Sequence, residues 1–172
     1  MFSFYKTNYT KLYTTIANFS REKMFYDSIK LEDKLETRIY LIFIHFSLIF
    51  NILKKKNIDK KITQDIFDNL FQNIEYHFRE LGMGDVSVNK KMKDLNKILY
   101  DILLKININD NDSLRLNKKL IIKYLREFEE DKTNNYSEFE SYFEQFYNFC
   151  FELPLDNMIR SSIKFNYNYG SS

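Results

Sequence analysis

Among its 172 residues this chain has three glycines and one proline. That scarcity is the strongest constraint on the fold, because the tight turns between strands draw on these two residues and an all-β fold needs many such turns. Long charged and apolar side chains that suit helices take their place. The expected fold class is all-α: a single-domain bundle of about six helices around a central apolar helix, in a chain long enough for one sizeable core. The domain is expected to span residues 1–165, with 166–172 as a flexible tail.

The sequence contains 17 Phe and 13 Tyr and is rich in Lys, Asn and Ile. Codons of an A- and T-rich genome produce such a mixture, and so does low complexity. Helical periodicity within the segments favours the first reading. The aromatic residues are therefore read as core rather than as stacking platforms. A net charge of +2 is too weak for general nucleic-acid binding, so no DNA partner is expected. Cys150 is the one cysteine, which leaves no intrachain disulfide and no cysteine-based metal site. Its setting, "NFCFEL", is that of a buried structural thiol. The first residues, "MFSFYKTNYTKLYTTI", lack the pattern of an export signal, so a reducing interior compartment is expected.

The run "IYLIFIHFSLIFNIL", Ile39 to Leu53, is the most apolar stretch. It covers ~22 Å of helix, short of the roughly 20 residues needed to cross a bilayer. His45, Ser47 and Asn51 interrupt it. The expectation is a buried central helix from about Leu35 to Lys56, with His45 a hydrogen-bonded core histidine. A first helix is placed at Tyr9 to Ser20, and a loop or short helix at "REKMFYDSIKLED". After the basic turn "KKKNIDKK", Thr63 is read as the cap of a helix whose apolar residues Ile66, Phe67, Leu70, Phe71, Ile74, Phe78 and Leu81 share one face.

Gly82 and Gly84 then fall two residues apart in "FRELGMGDVSVNKKMK". With Leu81 ending the helix, Gly82 takes the left-handed position of a Schellman ending and Met83 touches Phe78. Gly84 lets the chain reverse, and Asp85 or Ser87 caps the next helix. There Val88, Met92, Leu95, Leu99, Ile102 and Ile106 form the apolar face, with Lys90, Lys93 and Lys97 opposite. After the polar loop "NINDNDS" a helix is expected from about Ser113 to Glu130. A last long helix is expected from Ser137 to Leu153, before Pro154.

Catalytic signatures are missing. No phosphate-binding glycine loop, nucleophile elbow or HExxH pair occurs. Glu75 and His77 stand two apart on different sides of a helix and make no metal pair. No catalytic residue, metal or cofactor is expected, and Glu75 with Arg79 reads as a surface ion pair.

The block "IFDNLFQNIEYHFRELGMGDVSVNKKMKDL", Ile66 to Leu95, resembles the ubiquinol–cytochrome c chaperones, helical assembly factors of mitochondria and alphaproteobacteria. Phe67-Asp68, Arg79-Glu80, Gly82, Gly84, Asp85, Val88 and Lys90-Lys91 occupy matching positions. Upstream, Leu12-Tyr13, Ser20-Arg21, Phe25-Tyr26, Asp33, Arg38 and His45 are similar to spaced family positions, and "LPLDNMIRSSIKF" resembles its C-terminal end. Glu75 stands where the family often has Asp, and Asn89 where it often has Gly. The resemblance implies a non-catalytic chaperone of newly made cytochrome b that promotes assembly of the cytochrome bc1 complex. It implies work in the cytoplasm or at the cytoplasmic, matrix-equivalent face of the inner membrane. Its partners would be cytochrome b or its nascent chain, with a small co-chaperone, the ribosome or the membrane surface as further contacts.

The joint supplies the candidate partner-binding residues: Arg79, Glu80, Asp85, Lys90, Lys91 and Lys93, with Gly82 and Gly84 as its structural turn. Tight reversal is expected to gather them into one mixed-sign patch. Lysines in a helix's first turn oppose its dipole and would be relieved by an acidic partner. The alternative, from a different class, is a helical module whose basic face binds ribosomal RNA or acidic lipid, an interaction that weakens steeply with salt.

Overall fold

The computed structural model describes residues 2–109, 113–130 and 135–169, with side chains from Tyr9 onward. Among these residues run seven α-helices: α1 (Phe2–Phe19), α2 (Leu35–Lys55), α3 (Lys60–Glu80), α4 (Asp85–Lys105), α5 (Lys118–Tyr124), α6 (Asn135–Glu152) and α7 (Leu155–Arg160). A π-helical turn at Met24–Ser28 and a 3-10 turn at Arg126–Phe128 complete the regular structure. The fold is all-α.

The apolar run forms the middle of α2, and every residue from Leu41 to Phe50 is buried. Glu36 in its first turn and Lys54 and Lys55 in its last complement the helix dipole. The polar ends are helical too, so α2 spans 21 residues and is long and apolar enough to cross a membrane. The length argument against a membrane span therefore fails, and burial decides instead. α2 contacts α1, α4 and α6, while α3 closes against α1 and α4 and α7 turns back onto α1. Ring pairs Phe43–Phe71 and Phe50–Phe67, each 6.1 Å apart, show α2 and α3 antiparallel. Short connections at Lys56–Asp59 and Leu81–Gly84 enforce that arrangement.

The two connections use the same ending. Asn57, at φ 53°, stops α2: its N–H donates to the Lys54 carbonyl at 3.1 Å and that of Ile58 to the Leu53 carbonyl at 3.0 Å. This is a Schellman ending with asparagine in the glycine position. Asp59, not Thr63, then caps α3, accepting from the Lys61 N–H at 2.9 Å.

His45 marks the centre of the core. Its Nδ1 lies 2.6 Å from the Leu41 carbonyl and its Nε2 2.9 Å from the Tyr142 hydroxyl. A carbonyl only accepts, so Nδ1 carries the proton and Nε2 accepts from the Tyr142 O–H. Both ring nitrogens are satisfied with the imidazole neutral. Complete burial holds its pKa down to about 3, and the bond to Leu41 offsets only part of that. Phe143, Phe146 and Tyr142 from α6 and Phe25 enclose the ring with centroids 4.7 to 6.3 Å away. Cys150, also on α6, is buried, and desolvation pushes its thiol up to about 12, which keeps it protonated and inert.

Three expectations change downstream. Residues 113–117 are not helical, because the segment returns to the end of α4. The Asn117 N–H donates to the Ile106 carbonyl at 2.9 Å and that of Ile108 to the Arg115 carbonyl at 3.0 Å. Only then does the Asn117 side chain cap α5, accepting from the Leu120 N–H. Pro154 does not merely end a helix: at φ −58° and ψ 148° it is the N-cap of α7. Residues 166–169, placed in a flexible tail, lie against α6, where Asn168 bonds Gln145 and the Tyr167 ring meets Tyr142. Residues 170–172 lie outside the described residues.

Candidate partner-binding surface

The ending of α3 is built as the sequence predicts. Gly82 has φ 87°. Its N–H donates to the Arg79 carbonyl at 3.0 Å, and the Met83 N–H donates to the Phe78 carbonyl at 3.2 Å, the bond pair of a Schellman ending. Gly84 differs: at φ −74° and ψ 165° it is the N-cap of α4 in ordinary extended geometry, and neither Asp85 nor Ser87 caps by side chain. A Cβ at either glycine meets no atom within 4 Å, so the demand at Gly82 is conformational. Gly82→Ala is expected to cost about 1 kcal/mol and Gly84→Ala much less. Their melting temperatures, compared with the parent's, check this.

Arg79 is the hub of the joint. Its Nη2 bonds Glu75 Oε1 at 2.9 Å and its Nη1 bonds Asp85 Oδ1 at 2.5 Å, so one guanidinium ties the last turn of α3 to the first turn of α4. The bonds to Asp85 and then Glu75 raise its pKa further. Asp85 also sits favourably at the positive end of the α4 dipole. Glu80, Lys90 and Lys93 are exposed. Lys91 turns away from the Arg79 cluster to reach Glu36 of α2 at 3.7 Å. The expected patch is thus two groupings, Glu75–Arg79–Asp85 and Lys91–Glu36, with Lys90 and Lys93 facing solvent.

The three lysines also lie beyond the first turn of α4. α4 starts at Asp85, one turn earlier than the cluster requires. Lys90, Lys91 and Lys93 therefore fall in the second turn and beyond, where the dipole's influence has faded. What remains distinctive is their placement, since Lys90, Lys93 and Lys97 are exposed on the face away from the buried Val88, Leu95 and Leu99. Exposed apolar side chains flank the joint as well: Leu81 is 57% and Val86 85% accessible.

Glu36 connects the joint to a feature that the sequence did not disclose. A cleft of about 650 Å3 opens between the start of α2 and the α5 region, lined by Lys34, Glu36, Tyr40, Lys123, Tyr124 and Arg126 among others. The Tyr40 and Tyr124 rings lie 5.3 Å apart. Behind them Asp101 of α4 accepts from Lys105, Lys123 and Tyr124. These three bonds hold its carboxyl well below the usual carboxylate range, while burial first and Asp101 second push the Tyr124 hydroxyl up. No local pattern links residues so far apart in sequence. The cleft lining holds neither His nor Cys, and among the described residues no group of three or more His, Cys, Asp or Glu is placed to hold a metal ion.

The surface is therefore one of mixed charge with apolar edges. A family model described as ubiquinol–cytochrome C chaperone matches residues 27–120, more than half of the chain. The chain belongs to that family. The matched span runs from the π-helical turn into α5 and includes the joint, the lysine face and the α2 wall of the cleft, but not Lys123, Tyr124 or Arg126. The similarities at Leu12 to Tyr26 and in residues 153–165 lie outside it. Comparisons with curated proteins and with solved structures return no match. Family membership implies a chaperone role toward a client protein in the cytochrome bc1 context.

Proposed function

We propose that this protein is a non-catalytic assembly chaperone that binds newly made cytochrome b and promotes assembly of the cytochrome bc1 complex. The observation that carries this reading is the family match over residues 27–120. The site's chemistry is compatible with it: charge of both signs chooses a partner and steers its approach, while apolar edges hold it. The protein works in the cytoplasm or at the cytoplasmic, matrix-equivalent face of the inner membrane, where cytochrome b emerges. Lys90 and Lys93, both exposed, contact the partner, and Arg79 with Asp85 holds the joint that presents them.

One genetic experiment tests both levels of this account. A strain lacking the protein should assemble less bc1 complex while transcribing its genes normally, and normal complex levels there would contradict the function. In the same strain, a Lys90→Glu, Lys93→Glu variant should fold, because both side chains are solvated and surface changes cost within about 0.5 kcal/mol, yet restore the complex poorly. Full restoration would remove these lysines from the partner site. The lysine face also supports binding of an anionic surface. Association that collapses as salt rises would favour that second reading, whereas docking of an apolar segment changes little.

A further inference from the structure

After α7 the chain crosses back over the aromatic end of the core in extended form. Ile163 and Phe165 are buried and Tyr167 half-buried, whereas Lys164, Asn166 and Asn168 are exposed. That alternation is the period of an extended segment lying on an apolar floor. The Phe165 ring meets those of Phe19, Tyr142, Phe146 and Phe149 at 5.5 to 6.1 Å, and Tyr167 meets Tyr142 at 5.6 Å. The backbone is gripped as well. The Asn168 N–H donates to Gln145 Oε1 at 2.9 Å, and the Asn168 carbonyl accepts from Gln145 Nε2 at 3.2 Å. One side-chain amide on α6 thus reads both polar groups of a backbone residue, a mode of recognition indifferent to the side chain at 168.

The fit is incomplete. A pocket of about 170 Å3, partly open to solvent and lined also by Glu22 and Asn166, lies between this strap and Phe19, Met24 and Tyr142. Tyr169 is 68% exposed and rests on Tyr167. The strap's own side chains leave that space to solvent.

We propose that the groove between α1 and α6 is a docking site for an extended partner segment carrying aromatic side chains at alternate positions, which residues 163–169 occupy in the free protein. The strap itself defines the occupant: rings two residues apart, as at Phe165 and Tyr167, followed by a backbone N–H and C=O for Gln145. This deepens, and rests on, the reading of the protein as a chaperone that holds an unassembled partner. Being tethered, the strap competes at an effective concentration in the millimolar range. Only a segment that fills the groove better displaces it.

The test uses the full chain and a fluorescent peptide of the strap's own sequence, SSIKFNYNY. Two variants loosen the strap: Phe165→Ser with Tyr167→Ser, and Asn168→Pro, which removes the N–H that Gln145 binds and leaves every core ring in place. Each should bind the peptide at least about tenfold more tightly than the parent, because the tethered competitor is weakened. Adding Gln145→Ala should forfeit most of that gain, and the permuted peptide SSIKNFYYN should bind about tenfold more weakly, its rings no longer alternating. Equal binding by the parent and both loosened variants, or no preference between the peptides, would overturn the proposal. So would a parent that sediments as a dimer and turns monomeric when the strap is loosened, which would assign the groove to a second copy's strap. Because the probe is synthetic, failure here leaves the cytochrome b reading to its own experiment, and failure there leaves the groove standing.

Discussion

Lowering the pH from 7.5 to 5 is expected to remove about 2 kcal/mol of stability through His45 alone, rising to about 4 kcal/mol near pH 3. The sign follows from the direction of the shift. The unfolded chain takes up a proton near 6.5, while the folded one resists until about 3. Acid therefore favours the unfolded state, and the stabilisation present above 6.5 drains away as the pH falls toward 3. The cause is structural: a protonated ring would need Nε2 to donate, but the Tyr142 hydroxyl already donates to it, and the ring's other neighbours are aromatic faces. Urea unfolding at a series of pH values reads the slope. Carboxylates contribute mainly below pH 5, so the upper part of the curve isolates the histidine. A His45→Gln variant, less stable at neutral pH, should lose that upper slope. A parent whose stability is flat from pH 7.5 to 5 would contradict the neutral, doubly bonded assignment.

The second large effect concerns the aromatic cluster around that histidine. Phe143 is fully buried and touches the rings of Phe25, His45, Phe139 and Tyr142 at 4.7 to 6.0 Å. Phe143→Ala should cost about 3–5 kcal/mol, the transfer energy of the ring plus the cavity left behind. For a chain of this length that lowers Tm by roughly 10 °C. Leu104→Ala provides the contrast: this side chain is 77% exposed and its loss should change Tm by about 1 °C or less. Similar effects of the two changes would mean that the α2–α6 contact is not the centre of the core.

These two residues show where a sequence speaks and where it falls silent. The helices α2 to α4 were readable because their causes are local. An apolar run, a 3.6-residue periodicity and a glycine in the left-handed position all sit within a few residues of the boundary they set. His45 was readable as a core histidine for the same reason. Its partner Tyr142 was not, because the two meet only when α2 and α6 associate. The same holds for Lys91 and Glu36, and for Asp101 with Lys123 and Tyr124. Chain reversal also misled at residues 113–117, where hydrogen bonds to the end of α4 outcompete helix formation by a segment with adequate propensity. At the joint, the error was of one turn. Taking Ser87 as the cap, when the helix already starts at Asp85, moved the lysines into the dipole's reach and gave them a cost they do not bear.

The central claim is that the protein holds cytochrome b before it is assembled. Affinity purification of the tagged full chain from gently solubilised native membranes, after a brief pulse of labelled protein synthesis, measures this directly. The account predicts that labelled cytochrome b co-purifies early, and that the amount falls during a chase as the bc1 complex forms. Recovery of assembled bc1 complex without free cytochrome b, or no cytochrome b at any time of the chase, would contradict it.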